Sequence, residues 1–121
     1  MGLFSNHMNS IHVAHHKDTA GSAIVQMPVP EKVYISMSQH IGKPCQPVVA
    51  KGDHVKVGQL IGDVDAFISA PIYSSVSGDV VAIEEARSAL GGIDKYVIIA
   101  ADGQQEPYEG LAVPQCETRD D

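Results

Sequence analysis

From Val33 to Met37 the chain alternates, with Val33, Ile35 and Met37 on one side and Tyr34 and Ser36 on the other. That two-residue period is the mark of a half-buried strand. Two further runs, Val80 to Ile83 and Tyr96 to Ala101, are short and rich in β-branched residues, as buried strands are. No stretch sustains a helical period; only Glu84 to Leu90 predicts a short helix, which Gly91-Gly92 would end. Proline and glycine punctuate the rest, at Pro28, Pro30, Gly42, Pro44, Pro47, Gly52, Gly58, Gly62, Pro71 and Gly78. Short strands between turns this dense predict an all-β sandwich or barrel. Its expected core is Val48, Val49, Val55, Val57, Ile61, Val80, Val81, Ile83, Val97 and Ile99, because a small barrel is filled by its own side chains. Three parts are expected: an extended N-terminal arm over residues 1–22, the β domain over 23–102, and an acidic tail or linker to a further domain over 103–121.

A weak repeat refines the middle. Lys51-Gly52-Asp53-His54-Val55-Lys56-Val57 aligns with Ser77-Gly78-Asp79-Val80-Val81-Ala82-Ile83 at an offset of 26 residues. Each copy is a Gly-Asp turn leading into an apolar strand, where glycine takes φ > 0 and aspartate bonds its own backbone. Two ordinary β-turns would also produce these few identities. Duplication is favoured because both copies flank one central segment, Gln59 to Pro71.

Composition removes several classes. The 121 residues suffice for one domain with a real core, and 44% apolar with 19% charged residues is globular rather than disordered. The longest purely apolar run, Tyr96 to Ala101, is too short to cross a bilayer, and Met1 to Asn9 has neither a basic start nor the apolar stretch of a secretory signal. The net charge is −7, split between +2 in residues 1–60 and −9 in residues 61–121. A chain with that charge and no basic cluster repels phosphate backbones, so no nucleic-acid partner is expected. The acidic half reads as a solvated surface. Cys45 and Cys116 form no C-x-x-C pair, which fits free thiols and the cytoplasm rather than a disulfide scaffold or a zinc or iron–sulfur site.

Two constellations invite chemistry. His12, His15 and His16 stand close enough to bind a divalent metal, yet the arm shows neither a fourth ligand nor a rigid frame, so a polar docking arm is the preferred reading and no metal is assigned. His40 and Cys45, with Ser74, Ser75 and Ser77 downstream, contain the ingredients of a nucleophile–base pair. Nothing in their spacing supplies an oriented base, so His40 reads as a turn residue bonded to backbone and the serines as turn and strand-edge residues. No catalytic or cofactor-binding residue is assigned.

The string Gly52-Asp53-His54-Val55-Lys56-Val57-Gly58-Gln59-Leu60-Ile61, followed by Ser69-Ala70-Pro71 and Val76-Ser77-Gly78, resembles the barrel-sandwich hybrid of biotinyl and lipoyl carrier domains. In those domains a lysine at the hairpin tip carries the cofactor. Here the tip, Asp63-Val64-Asp65-Ala66-Phe67-Ile68, has no lysine, which disfavours a stand-alone carrier or small-ligand domain, the alternative reading. A closer resemblance covers nearly the whole chain and rests on more specific strings: Gln39-His40-Ile41-Gly42, and Ser69-Ala70-Pro71 through Ser74, Ser75 and Gly78. Together with Met27 to Val33, these are similar to the N-terminal domain of the C subunit of the Rnf ion-translocating electron-transport complex. The arm around Ile11 to Lys17 also resembles the family's opening, with Asn9-Ser10 in place of its glycines and Ala14 in place of its proline.

The resemblance implies an all-β barrel-sandwich hybrid with an extended N-terminal arm. It implies a non-catalytic docking domain of a membrane-associated NADH:ferredoxin oxidoreductase subunit, cytoplasmic and peripheral to the inner face of the membrane, without insertion into it. Its expected partners are the remainder of its own subunit and neighbouring subunits. FMN and 4Fe–4S clusters are expected elsewhere in the parent subunit, since this chain has no G-x-G-x-x-G string and no cluster-spaced cysteines; the chain itself is expected to be an excised N-terminal domain. Related C-subunit-like proteins of amino-acid reductase and diol-degrading pathways share the same domain.

Overall fold

A computed structural model describes residues 11 and 13–115. Seven strands follow one another: β1 (Lys32–Ser36), β2 (Gln46–Pro47), β3 (His54–Val55), β4 (Leu60–Asp63), β5 (Ile72–Tyr73), β6 (Gly78–Arg87) and β7 (Ile93–Ala101). They form two antiparallel sheets, of order β1-β7-β6-β3 and β2-β4-β5. The alternation in β1 works as expected: Ile35 is buried and Val33 half-buried, with Met37 buried just past the strand. Between the sheets these residues meet Cys45, Val55, Ile61, Ile72, Val76, Val80, Val97 and Ile99 in one core. The fold is the all-β barrel-sandwich arrangement, and no helix occurs among the described residues.

The two Gly-Asp copies pair with each other. His54 lies opposite Asp79 and Val55 opposite Gly78, while the Val80 N–H donates to the Asp53 carbonyl at 2.8 Å. Residues of one copy thus face residues of the other in antiparallel order. Gly78 is buried where β3, β6 and β7 meet, and a side chain there would reach the Ala101 Cα at 2.9 Å.

Three expectations change. The segment Glu84 to Leu90 is not a helix: β6 continues through it to Arg87, with Glu84 opposite Tyr96, Glu85 opposite Lys95 and Arg87 opposite Ile93. Pairing along β7 overrides the helix propensity of Glu, Ala and Arg. Of the expected core residues, Val48 and Ile83 are exposed. Ile83 shares a face with its opposite neighbour Val97, but lies beyond a β-bulge between Val80 and Ala82, where the β6–β7 ribbon runs past the core. Val49, Val57 and Val81 are half-buried.

The third change concerns residues 103–115, read from composition as the start of a tail. The Val57 N–H donates to the Glu106 carbonyl and the Tyr108 N–H to the Val57 carbonyl, both at 2.9 Å, so this segment is a strap laid along the barrel. Lys56 Nζ sits 2.8 Å from Glu106 and also bonds Glu109. These two acceptors, Glu106 first, hold the Lys56 ammonium well above the usual lysine range. At the strap's start the buried Ser77 hydroxyl donates to Asp102 (2.7 Å) and accepts the Glu106 N–H (2.9 Å).

Candidate functional site

The most specific sequence strings meet at one end of the barrel. The β1–β2 loop carries Gln39, His40, Ile41 and Gly42, and the β4–β5 loop carries Ala66 to Pro71. Their contact depends on a single position. Gly42 has φ +116°, a conformation side chains rarely adopt, and a methyl group there would lie 2.7 Å from Ile68 Cγ2 and press on the Ile68 carbonyl. Beside it the Lys43 N–H donates to the Ile68 carbonyl at 3.1 Å, and the buried Cys45 thiol donates to the Ala70 carbonyl at 3.1 Å. The loops are therefore joined backbone to backbone.

Each loop is also tied internally. Gln39 Nε2 donates to the Ser36 carbonyl (2.8 Å), and His40 Nε2 lies 3.1 Å from the Lys43 carbonyl. On the other side the Ser69 hydroxyl donates to the Ala66 carbonyl at 2.9 Å. Onto this frame the chain mounts bare apolar side chains: Ile41 is 90% exposed, Phe67 103% and Ile68 56%. Exposed apolar groups on a rigid frame are the anatomy of a protein-binding hot spot, because little conformational entropy is lost when they are covered. Asp63 at the end of β4, Asp65 in the loop that follows it and Lys43 in the β1–β2 loop are all exposed, so both charge signs occur in the segments that form this end.

The remaining residues singled out in the sequence have other surroundings. Cys45 is bonded to Ala70 rather than to His40, and burial, with the Asp63 charge second, pushes its thiol upward, away from the thiolate a nucleophile needs. Ser74 is buried and bonds the Val76 carbonyl at 2.6 Å, while Ser75 is exposed. His15 and His16 lie exposed in the arm; His12 falls outside the described residues. Among the described residues no three His, Cys, Asp or Glu side chains gather as a metal site would need, and no helix is long and apolar enough to cross a membrane.

One cluster is not foreseen from the sequence. His54 Nδ1 lies 2.8 Å from Asp79 Oδ1, and its Nε2 lies 3.9 Å from Asp102 Oδ2. The Ser77 hydroxyl and then the Gln104 N–H hold the Asp102 carboxyl below the usual carboxylate range. Here the carboxylate stands between serine and histidine, so the histidine cannot take the serine proton and the group is a structural clasp. Its only trace in the sequence is the Gly-Asp repeat, which sets His54 opposite Asp79.

Comparison with known proteins agrees with this architecture. Residues 6–104 match the family model described as the RnfC barrel sandwich hybrid domain. Over 95 residues the chain is 48% identical to the C subunit of a proton-translocating ferredoxin:NAD(+) oxidoreductase complex from Clostridium ljungdahlii, covering 78% of this chain and 21% of that protein. Over 74 residues it is 50% identical to the C subunit of a Na(+)-translocating ferredoxin:NAD(+) oxidoreductase complex from Acetobacterium woodii, covering 61% and 17%. The C subunit of an ion-translocating oxidoreductase complex from Rhodobacter capsulatus is 38% identical over 99 residues, covering 79% and 19%. The chain thus spans about a fifth of the length of the curated relatives it matches.

Proposed function

The chain belongs to the RnfC family as its barrel-sandwich hybrid domain, and from that premise we propose that it is a non-catalytic docking module of an ion-translocating ferredoxin:NAD oxidoreductase complex. The observation that carries this reading is the loop end, where Ile41, Phe67 and Ile68 stand exposed on two loops locked together at Gly42 and Ile68. The partner surfaces are the remainder of the RnfC subunit and adjoining subunits, on the cytoplasmic face of the membrane. The FMN and the 4Fe–4S clusters belong to those other parts. This barrel contributes position and adhesion, and its single described cysteine is consumed by packing.

The test is assembly. Ile41→Ser with Phe67→Ser removes two exposed apolar groups, so unfolding stability should stay within about 0.5 kcal/mol of the parent, as for ordinary surface changes. Recovery of the chain with the complex, purified through a tag on another subunit, should fall roughly tenfold or more, the effect of losing hot-spot groups. Undiminished recovery of the double variant would refute docking through this end. A biotinyl or lipoyl increment in the intact mass of the native chain would favour the carrier reading instead.

A further inference from the structure

A second surface lies along the side of the barrel. β1 ends the four-stranded sheet and β5 ends the three-stranded sheet, so each has one free edge. Between these edges runs a groove of about 640 Å³, lined by Tyr34, Ser36, Gln39, Pro71, Tyr73 and Ser75 among others. The hydrogen-bond register fixes which backbone groups face it. The Met37 N–H donates to the Lys95 carbonyl and the Ala101 N–H to the Glu31 carbonyl, so odd-numbered residues of β1 bond β7. The N–H and C=O of Tyr34 therefore point to the free edge. On the facing strand the Ser74 N–H donates to Gln59 and the Ser74 carbonyl accepts from Gly58, which turns the N–H and C=O of Tyr73 outward in the same way. Among the described residues β1 pairs only with β7 and β5 only with β4, so neither tyrosine's outward N–H and C=O lies in a ladder.

We infer that this groove takes an extended segment of another polypeptide of the complex, added as a strand between β1 and β5. The free N–H and C=O of Tyr34 on one edge and of Tyr73 on the other are matched by a strand with both edges free, and closure would cover both edges at once. None of the seven strands of a second copy meets that requirement, because each is already bonded along at least one edge. Charge narrows the occupant further. In a chain of net charge −7, no residue lining the groove is charged. A charged side chain entering it would lose hydration without gaining a counter-charge, so the segment is uncharged at the positions facing inward. The groove is continuous with the proposed docking end, since Gln39 and Pro71 belong to the two loops that form it. The inference rests on the docking reading, but on a different face.

Amide hydrogen exchange of the chain alone and of the chain within the assembled complex tests it. In the chain alone, Tyr34 and Tyr73 should exchange rapidly, while Val33 and Ile35, bonded into the β7 ladder, exchange slowly. In the complex the Tyr34 and Tyr73 amides should both slow by roughly 100-fold or more, as for amides newly bonded into a ladder. Rapid exchange at either tyrosine in an assembled complex would overturn the groove proposal and leave the docking reading standing. Protection already present in the chain alone would overturn it too, pointing to the chain's own termini if independent of concentration and to a second copy if not. A chain that never joins the complex would overturn both.

Discussion

Replacing Gly42 by alanine probes the joint on which the loop end depends. Its φ of +116° lies outside the basins open to L side chains, which alone costs about 1–3 kcal/mol. The added methyl would stand 2.7 Å from Ile68 Cγ2, where carbon atoms normally rest about 3.5–4.0 Å apart, so the loops must separate by roughly 1 Å. That separation stretches the Lys43-to-Ile68 hydrogen bond, worth about 0.5–1.5 kcal/mol. The expected total is about 2–4 kcal/mol of lost stability. Gly52→Ala is the control: φ there is +96°, but nothing lies within 4 Å of the new methyl, so only the backbone strain is felt. With a urea slope of about 1–3 kcal/mol/M, Gly42→Ala should lower the unfolding midpoint by roughly 1 M or more. It should also be less stable than Gly52→Ala by about 1 kcal/mol, the share due to the loop contact. If Gly42→Ala unfolds with the parent, or no earlier than Gly52→Ala, the two loops are not locked together as described.

Three further outcomes follow from the same structure. Lys56→Met should free the strap, seen as faster amide exchange at Val57 and Tyr108 with the β6–β7 ladder unchanged. The folded state also holds Glu109, through Lys56, and Asp102, through Ser77, below their ordinary carboxylate values. Their stabilisation is complete above those ordinary values, at about pH 4 for carboxylates, and is lost as pH falls through the lower folded ones. Acid unfolding should therefore steepen below about pH 4, and Lys56→Met and Ser77→Ala should each flatten it; identical acid profiles for all three proteins would contradict the clasp and the strap. Cys45, whose thiol is buried and pushed upward, should react with a thiol reagent only as fast as the native chain unfolds, as read by peptide mass, whereas prompt labelling would contradict its burial.

How far the sequence carries this picture depends on whether a feature is local. The alternation of Val33, Ile35 and Met37 is legible because one face of β1 meets the core directly. The Gly-Asp repeat predicts two turns, though only the structure shows the copies paired with each other in antiparallel register. The outer half of β6 is invisible as a strand because the ribbon beyond the bulge has no buried face, so Glu84 to Arg87 lack apolar alternation and read as helix. The strap is hidden for another reason: it is held by Lys56, about fifty residues earlier, and no local pattern announces a charge pair at that distance. At the loop end the strings around His40 and Pro71 stand out as motifs, but their meeting rests on a backbone approach at Gly42 and Ile68 that leaves no hydrophobic signature. The groove is a property of strand order alone, and strand order is fixed by pairings that no single segment contains.

The central claim, docking through the loop end, is tested most directly by placing a photo-crosslinking residue at Phe67 and irradiating the assembled complex. The matched control carries it at Gln104, an exposed position near the start of the strap. Docking through Ile41, Phe67 and Ile68 predicts efficient cross-links from position 67 to another part of the complex and few from position 104. Cross-links from position 104 with none from position 67 would contradict it.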